Sequence, residues 1–285
     1  MAEILKGKPV AEKIKEEIQK KINELKRAKI EPTLATVIVG EREDALSYRK
    51  MIEKKGRDFG VKILNKEYQE GIDEEALKEE IKILNNQKDI HGILIFQPLP
   101  KSLNINRIKY FINPQKDIDG INPINISRIF SKEPEGIPPA TPQAVIETFD
   151  FYNIKLEGKN VVIIGRSLVV GKPLAMLCLH RNATVTITHS KTKNLKEITK
   201  RADIVIAALG KKEVITGEYL SPGQIVIDVG INIEKGKMYG DVKIQEAEKI
   251  VSKITPVPGG IGSITTTVVF KHLIKAINLQ KISKK

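Results

Sequence analysis

One cysteine and no tryptophan occur among the 285 residues. A single thiol, Cys178, cannot close an intramolecular disulfide. It lies in a leucine-rich stretch, 173–180, that suits a helix, and it reads as core rather than as a nucleophile. Histidine is equally scarce: the four residues, His91, His180, His189 and His272, show no metal-ligand spacing, so no metal site is expected. No apolar run approaches the length of a membrane span. The opening Met-Ala-Glu-Ile-Leu-Lys-Gly-Lys carries no signal-type apolar region. A cytoplasmic, metal-free protein without a membrane partner is expected. Aromatic residues make up only 5%, and they do not alternate with basic ones, which argues against nucleic-acid binding despite the net charge of +13. The positive charges are interleaved with negative ones, as in 13–21. That is the pattern of solvated, lysine- and glutamate-rich helix faces; a basic cleft for an anionic small molecule is the functional alternative.

What the chain does have is length for about two domains and a strong α/β alternation. Val10, Ile14, Ile18, Ile22 and Leu25 recur at helical spacing, which predicts an amphipathic helix over 8–28. A strand is expected over 34–40, a helix over 45–59 ended by Gly60, and a strand over 61–65. Asp73 is placed to cap a helix running to about Asn86. A strand over 92–96 stops at Gln97-Pro-Leu-Pro100, a helix follows over 103–111, and Asp117-Ile-Asp-Gly120 forms a turn. The proline-rich stretch 133–142 marks the clearest boundary. Beyond it come helices over 143–152 and 265–277.

The most informative stretch is Gly158 to Pro173. It reads as a buried strand (160–165), a glycine turn and a helix opening near Pro173. Such a unit is a phosphate-binding device, because glycine admits close backbone approach and a helix N-terminus offers N–H groups and partial positive charge. In the turn only Gly165 and Gly171 are glycines, with Ser167 where the second glycine of the standard motif would stand, so a purely structural turn fits the motif as well. A second strand over 184–188 ends in His189-Ser-Lys-Thr192, where an NAD-binding unit usually carries a carboxylate. Arg166, Ser190 and Lys191 instead suit a 2′-phosphate, favouring NADP; the bland reading is a solvated charged turn. Apolar runs over 204–210 and 225–230 suit parallel strands buried on both faces. The loop Thr255-Pro-Val-Pro-Gly-Gly-Ile-Gly-Ser263 suits close backbone approach to a ligand.

Eight short motifs in this order resemble the 5,10-methylenetetrahydrofolate dehydrogenase/cyclohydrolase family. They are Pro98-Leu-Pro100, Lys116-Asp-Ile-Asp-Gly120, Ala140-Thr-Pro142, Gly165-Arg-Ser-Leu-Val-Val-Gly-Lys-Pro173, His189-Ser-Lys-Thr192, Asp228-Val-Gly-Ile-Asn232, Gly240-Asp-Val242 and Thr255-Pro-Val-Pro-Gly-Gly-Ile-Gly262. The resemblance covers nearly the whole chain. It implies an α/β protein of two domains. The first, 1–138 with 266–285, would bind folate and carry the catalysis. The second, 139–265, would be a Rossmann-like parallel sheet binding NADP. The C-terminal helix would return to the first domain, with the folate held between the two. It further implies an oxidoreductase of one-carbon metabolism that also acts as a hydrolase, and a homodimer joined through the nucleotide domain. Tyr48 would pack along the folate, Asp119 would hydrogen-bond its pterin, and Gly259, Gly260 and Gly262 would line the site. Gly165, Arg166, Ser167, Ser190 and Ile231 would hold NADP.

Two departures stand out against that pattern. The family places a Lys four residues after the Tyr, and the position is Ile52 here. The family's Gln before Leu-Pro-Leu-Pro is Phe96 here. Two coupled polar positions have become apolar together, which is self-consistent, since a buried amine without its amide partner is costly. Hydride transfer does not require the missing Lys; hydrolysis of the methenyl product does need proton transfers. The expectation is therefore a dehydrogenase whose cyclohydrolase step is weak or absent. The alternatives are a bifunctional enzyme in which Lys55 substitutes, or a protein that binds NADP without chemistry. Ser263 stands where the family usually has Pro.

Overall fold

The computed structural model describes residues 1–282. Its elements begin with a short strand β1 (Glu3–Ile4), helix α1 (Gly7–Arg27), β2 (Thr33–Val39), α2 (Glu43–Phe59) and β3 (Lys62–Tyr68). There follow α3 (Glu74–Asn86), β4 (Gly92–Ile95), α4 (Ile105–Ile108), α5 (Pro123–Ser131) and α6 (Ala140–Phe151). The next stretch alternates β5 (Asn160–Ile164), α7 (Gly171–Leu179), β6 (Thr184–Thr188), α8 (Leu195–Lys200), β7 (Ile204–Ala207) and β8 (Ile225–Asp228). The chain closes with a hairpin, β9 (Asn232–Glu234) and β10 (Lys237–Tyr239), then α9 (Ile244–Ala247), β11 (Lys253–Ile254) and α10 (Gly262–Ile282). Among the described residues, no helix is long and apolar enough to cross a membrane.

Two compact units result, Met1–Lys13 with Pro139–Thr265, and Ile14–Pro138 with Thr266–Lys285. The break at Pro138 falls inside the proline-rich stretch that marked the boundary in the sequence. Residues 1–13, expected with the folate domain, lie in the same compact unit as 139–265. The cause is pairing: β1 adds a parallel strand beside β11, with Glu3 opposite Lys253 and Ile4 opposite Ile254. A two-residue strand carries too little pattern to be read before its partner is known.

The second unit is built on a parallel sheet of order β3-β2-β4. Every residue of the central strand β2 is buried, which fits its run of β-branched and apolar side chains covered on both faces. Ala35, Val37 and Val39 on one face pack with Ile93 and Ile95 of β4 and with Leu77, Ile81 and Leu84 of α3. Helix α3 starts where the sequence placed it, because the Asp73 carboxylate accepts from the Ala76 amide at 2.8 Å and so satisfies an orphan donor of the first turn. The helix expected over 103–111 splits into α4 and a short 3₁₀ turn, Lys109–Phe111.

The first unit carries a six-stranded sheet of order β1-β11-β8-β7-β5-β6. Its pairings are all parallel. The β5, β7 and β8 runs are the expected buried strands: Val162, Ile164, Val205, Ala207 and Val226 join one core face, while Ile163, Ile206 and Ile227 are fully buried on the other. Cys178 on α7 is fully buried, and burial pushes its thiol up to about 12, so it is a packed side chain as expected.

His272 on α10 is 3% exposed. Its Nδ1 lies 2.9 Å from the Ile118 carbonyl, which can only accept, so Nδ1 carries the proton. Its Nε2 is buried without a hydrogen-bond partner. Burial pulls this imidazole down from 6.5 to about 4, with Lys275 and Lys271 adding and the Ile118 bond opposing. Because the folded value lies below the unfolded one, the stability contributed is full above pH 6.5 and is lost as pH falls toward 4. The expected loss is about 3 kcal/mol. Urea denaturation between pH 7 and pH 4 checks this: the difference between wild type and His272→Gln should shrink steadily as the pH falls, and a constant difference would contradict it.

Candidate active site

In the second unit, α2, the end of β4 and the turn after Lys116 converge on a cavity of about 280 Å³. Tyr48, Phe96, Gln97, Asp44 and Asp119 are among its lining residues. Tyr48 and Asp119, both named from the sequence, are thus brought to one place. The Tyr48 ring lies 5.3 Å from that of Phe96, tilted by 54°, a favourable aromatic geometry. Burial, and then the nearby Asp119 charge, push the Tyr48 phenol well above its ordinary range, while a hydrogen bond from Thr266 opposes the shift. Tyr48 therefore keeps its proton at neutral pH. Thr266 is a participant that sequence reading missed, since nothing in its local pattern separates it from its threonine neighbours.

Asp119 is held out by the rest of its motif. Lys116 is 5% exposed, and its ammonium donates to the carbonyls of Asn85 (2.7 Å), Gln87 (2.8 Å) and Leu84 (3.2 Å). It thereby satisfies orphan carbonyls at the end of α3. Asp117 is 1% exposed and accepts from the Asn122 amide (2.8 Å), the Ile121 amide (3.2 Å) and the Asn125 side chain (2.9 Å). Burial raises its carboxyl, and these donors together with the Asp119 amide pull it back. Ile118 is fully buried. Asp117 thus folds the turn around itself, and Asp119, two residues on, stays partly exposed in the cavity wall.

The two positions expected to depart from the family pattern are both packed. Ile52 is fully buried and Phe96 is 5% exposed. Helical spacing puts Lys55 on the same stripe of α2 as Tyr48 and Ile52. Its ammonium donates to the Thr267 hydroxyl at 2.9 Å, and Lys55 does not line the cavity. Strand β4 stops at Ile95, so Gln97 lies beyond the strand, and the residue is part of the cavity wall.

In the first unit the glycine turn follows β5. Gly165 has φ +138°, and a Cβ there would sit 2.2 Å from the Ala208 carbonyl oxygen. A Cβ on Gly171 would meet the Gly165 carbonyl oxygen at 2.1 Å. Both glycines are demanded by chain packing, which folds the turn tightly over the start of α7. The Gly165 amide donates to the Thr188 carbonyl at 2.9 Å, tying this turn to the loop that carries Ser190. Ser167 accepts from the Val170 amide at 3.1 Å. Arg166, Ser167, Ser190 and Lys191 are all exposed, as is Ile231, at 53%. Because β5, β6 and β8 run parallel in one sheet, these residues share its carboxyl edge. That is where open α/β sheets take nucleotides, so the residues present fit a dinucleotide. No group of three or more His, Cys, Asp or Glu among the described residues is placed to hold a metal.

The three closing glycines belong to this unit. A Cβ on Gly259, at φ +99°, would meet nothing, leaving that backbone open. Gly260 is packed against the Pro256 carbonyl, and Gly262 against Ile231. The Ser263 hydroxyl donates to the Gly260 carbonyl at 2.7 Å.

Family models match both parts of the chain. Residues 5–119 match the catalytic domain of tetrahydrofolate dehydrogenase/cyclohydrolase, and residues 139–281 match its NAD(P)-binding domain. The bifunctional protein FolD of Carboxydothermus hydrogenoformans is 48% identical over 282 residues, 98% of each chain. The solved bifunctional FolD of Campylobacter jejuni superposes with a TM-score of 0.95 at 38% identity, over 98% of this chain and 100% of that one. The Trypanosoma brucei enzyme, solved with NADP and an inhibitor, gives a TM-score of 0.92 at 32% identity, over 98% of each chain. With both family models matched and identity sustained over nearly the full length, the chain belongs to the tetrahydrofolate dehydrogenase/cyclohydrolase family.

Proposed function

We propose that this protein oxidises 5,10-methylenetetrahydrofolate to the 5,10-methenyl form with NADP, and that it hydrolyses the methenyl product to 10-formyltetrahydrofolate weakly or not at all. The observation that carries the reading is the wall of the Tyr48 cavity. It keeps the phenol and the Asp119 carboxylate and carries Phe96 at the family's Gln position, while Ile52, at the family's Lys position, is fully buried on α2 and offers the cavity no amine.

The bound nicotinamide supplies the hydride acceptor. The chain's own part is to bind and orient. Asp119 offers a carboxylate to pterin N–H donors, and Tyr48, fixed by Thr266 and Phe96, offers a flat face to the folate. Gly259 offers open backbone, and Gly260 and Gly262 are assigned to the same ligand. Gly165 and Ser167 take the pyrophosphate, Ile231 an apolar part of the dinucleotide, and Arg166 with Ser190 the 2′-phosphate. Replacing Arg166 with Ala should weaken NADP by about 1–3 kcal/mol more than NAD. Calorimetric titration of both nucleotides measures this, and equal weakening would contradict the assignment.

Hydrolysis differs because water must lose a proton as it attacks. Ile52 cannot accept one, and the raised Tyr48 phenol is a poor base at neutral pH. The alternative is the full bifunctional activity for which the relatives are named, with Lys55 as the substitute; the Lys55 bond to Thr267 counts against it. Loss of a general acid–base group costs about 10²–10⁴-fold. Decay of the methenyl absorbance, corrected for spontaneous hydrolysis, should show a deficit of this order. Ile52→Lys combined with Phe96→Gln should recover part of it. Hydrolysis by the unmodified protein at a rate matching its own dehydrogenase step would overturn the reading.

The reading includes a cytoplasmic homodimer. Strand β6 lies at the sheet edge, with Ile187 on it 37% exposed and Leu179 on α7 50% exposed. An exposed apolar edge of this kind is covered by pairing with another chain. Light scattering coupled to size exclusion should give twice the chain mass of 31.8 kDa, and a monomer mass at micromolar protein would refute the dimer.

A further inference from the structure

Two motifs of the nucleotide unit, Asp228-Val-Gly-Ile-Asn232 and Gly240-Asp-Val242, have no ligand role in the reading above beyond Ile231. The structure shows them interlocked. Asp228, at the end of β8, is 3% exposed, and Asp241 is fully buried. Asp228 Oδ1 accepts from the amides of Gly230 (2.9 Å) and Asp241 (3.0 Å), and its Oδ2 accepts from the Val242 amide (2.9 Å). A Cβ on Gly240 would lie 1.9 Å from Asp228 Oδ2, and a Cβ on Gly230 would lie 2.2 Å from Asp241 Cγ. Each acid thus occupies the space left by the other segment's glycine.

Asp241 then reaches two further loops. Its Oδ2 accepts from the amides of Leu209 (2.5 Å) and Gly210 (3.0 Å), in the loop after β7. Its Oδ1 accepts from the Lys211 amide (2.8 Å) and from the Asn232 side chain (3.0 Å). One carboxylate therefore ties the loop after β7 to the loop after β8. The first of these begins at Ala208, whose carbonyl presses on Gly165; the second carries the exposed Ile231. Four donors converge on one anion without a neighbouring cation among them, and such a group neither tolerates an amide in its place nor leaves its loops elsewhere.

We propose that Asp241 is a positioning residue for the dinucleotide, fixing the loops after β7 and β8 in one arrangement through its reciprocal lock with Asp228. The proposal rests on the NADP reading. It concerns loops at the carboxyl edge of β7 and β8, on the far side of β5 from the Ser190 loop, so it assigns Asp241 an influence on the half of the dinucleotide remote from the 2′-phosphate.

NADPH fluorescence titration of the apoprotein, without folate, tests it. Asp241→Asn should raise the NADPH dissociation constant on the order of tenfold or more, the effect of losing a charged hydrogen bond. NADH binding should weaken by the same factor, because the affected loops lie away from the 2′-phosphate. The KM for the folate substrate should change less than about twofold, since uniform loss of cofactor binding leaves the other ligand untouched. Asn232→Ala removes one donor and leaves the interlock standing. It should raise the NADPH dissociation constant several-fold with a fall in the thermal midpoint smaller than that of Asp241→Asn, and it decides the matter where Asp241→Asn does not fold. Unchanged NADPH affinity in folded Asn232→Ala and Asp241→Asn protein would overturn the proposal, as would a folate KM that rises in step with the nucleotide constant. Wild-type protein that binds neither nucleotide would instead refute the NADP reading itself.

Discussion

Buried carboxylates that accept backbone N–H groups shape both units of this protein. A carboxylate taken out of water must be bonded at nearly every lone pair or it titrates away. Asp117 meets that demand by drawing the amides of Ile121 and Asn122 and the Asn125 side chain around itself. Asp228 and Asp241 meet it with seven donors between them, all but one of them backbone amides. The loops involved lack regular secondary structure, so their amides have no ladder to join. The acids supply what a sheet or helix supplies elsewhere. Burial pushes Asp228 up to about 7, its three backbone donors oppose that, and the Asp241 charge adds to the rise. The close approach of two like charges is the cost of tying so much irregular chain at one point.

The same constraint accounts for the pairing of the proposed departures at Ile52 and Phe96. Both positions are buried. An amine at the first without an amide at the second would leave a desolvated donor, whereas an apolar pair packs at no such cost. The Tyr48–Phe96 ring contact shows the packing that replaces polar bonding at that wall. Lys55, the candidate substitute on the same helical stripe, has its own polar partner in Thr267.

Much of the architecture was legible in the chain. Parallel strands buried on both faces betray themselves by unbroken β-branched runs, which is why β2, β5, β7 and β8 were found; β6, an exposed edge strand, was legible from its β-branched run alone, and Thr184–Thr188 agrees with it residue for residue. The Asp73 cap and the stop at Gly60 were legible because each is a local steric or hydrogen-bonding event. Strands β1 and β11 were not, since two residues hold no period. The hairpin of β9 and β10 was passed over for a related reason, since its strands have three residues each; the helix α5 was passed over as well.

The sequence by itself determined the family and the α/β class, and it supplied the proposed roles of Tyr48 and Asp119 and the proposed loss of a polar pair at 52 and 96. These follow from residue types at fixed spacing, and spacing survives without coordinates. Tertiary structure alone decided that residues 1–13 pack with the nucleotide unit, because strand pairing is a contact between segments remote in sequence. It alone joined Thr266 to Tyr48, turned Lys55 toward Thr267, and set Asp228 against Gly240 while Asp241 filled the space at Gly230. Each of these depends on where a side chain lands after the chain has folded back on itself, and no local pattern carries that information.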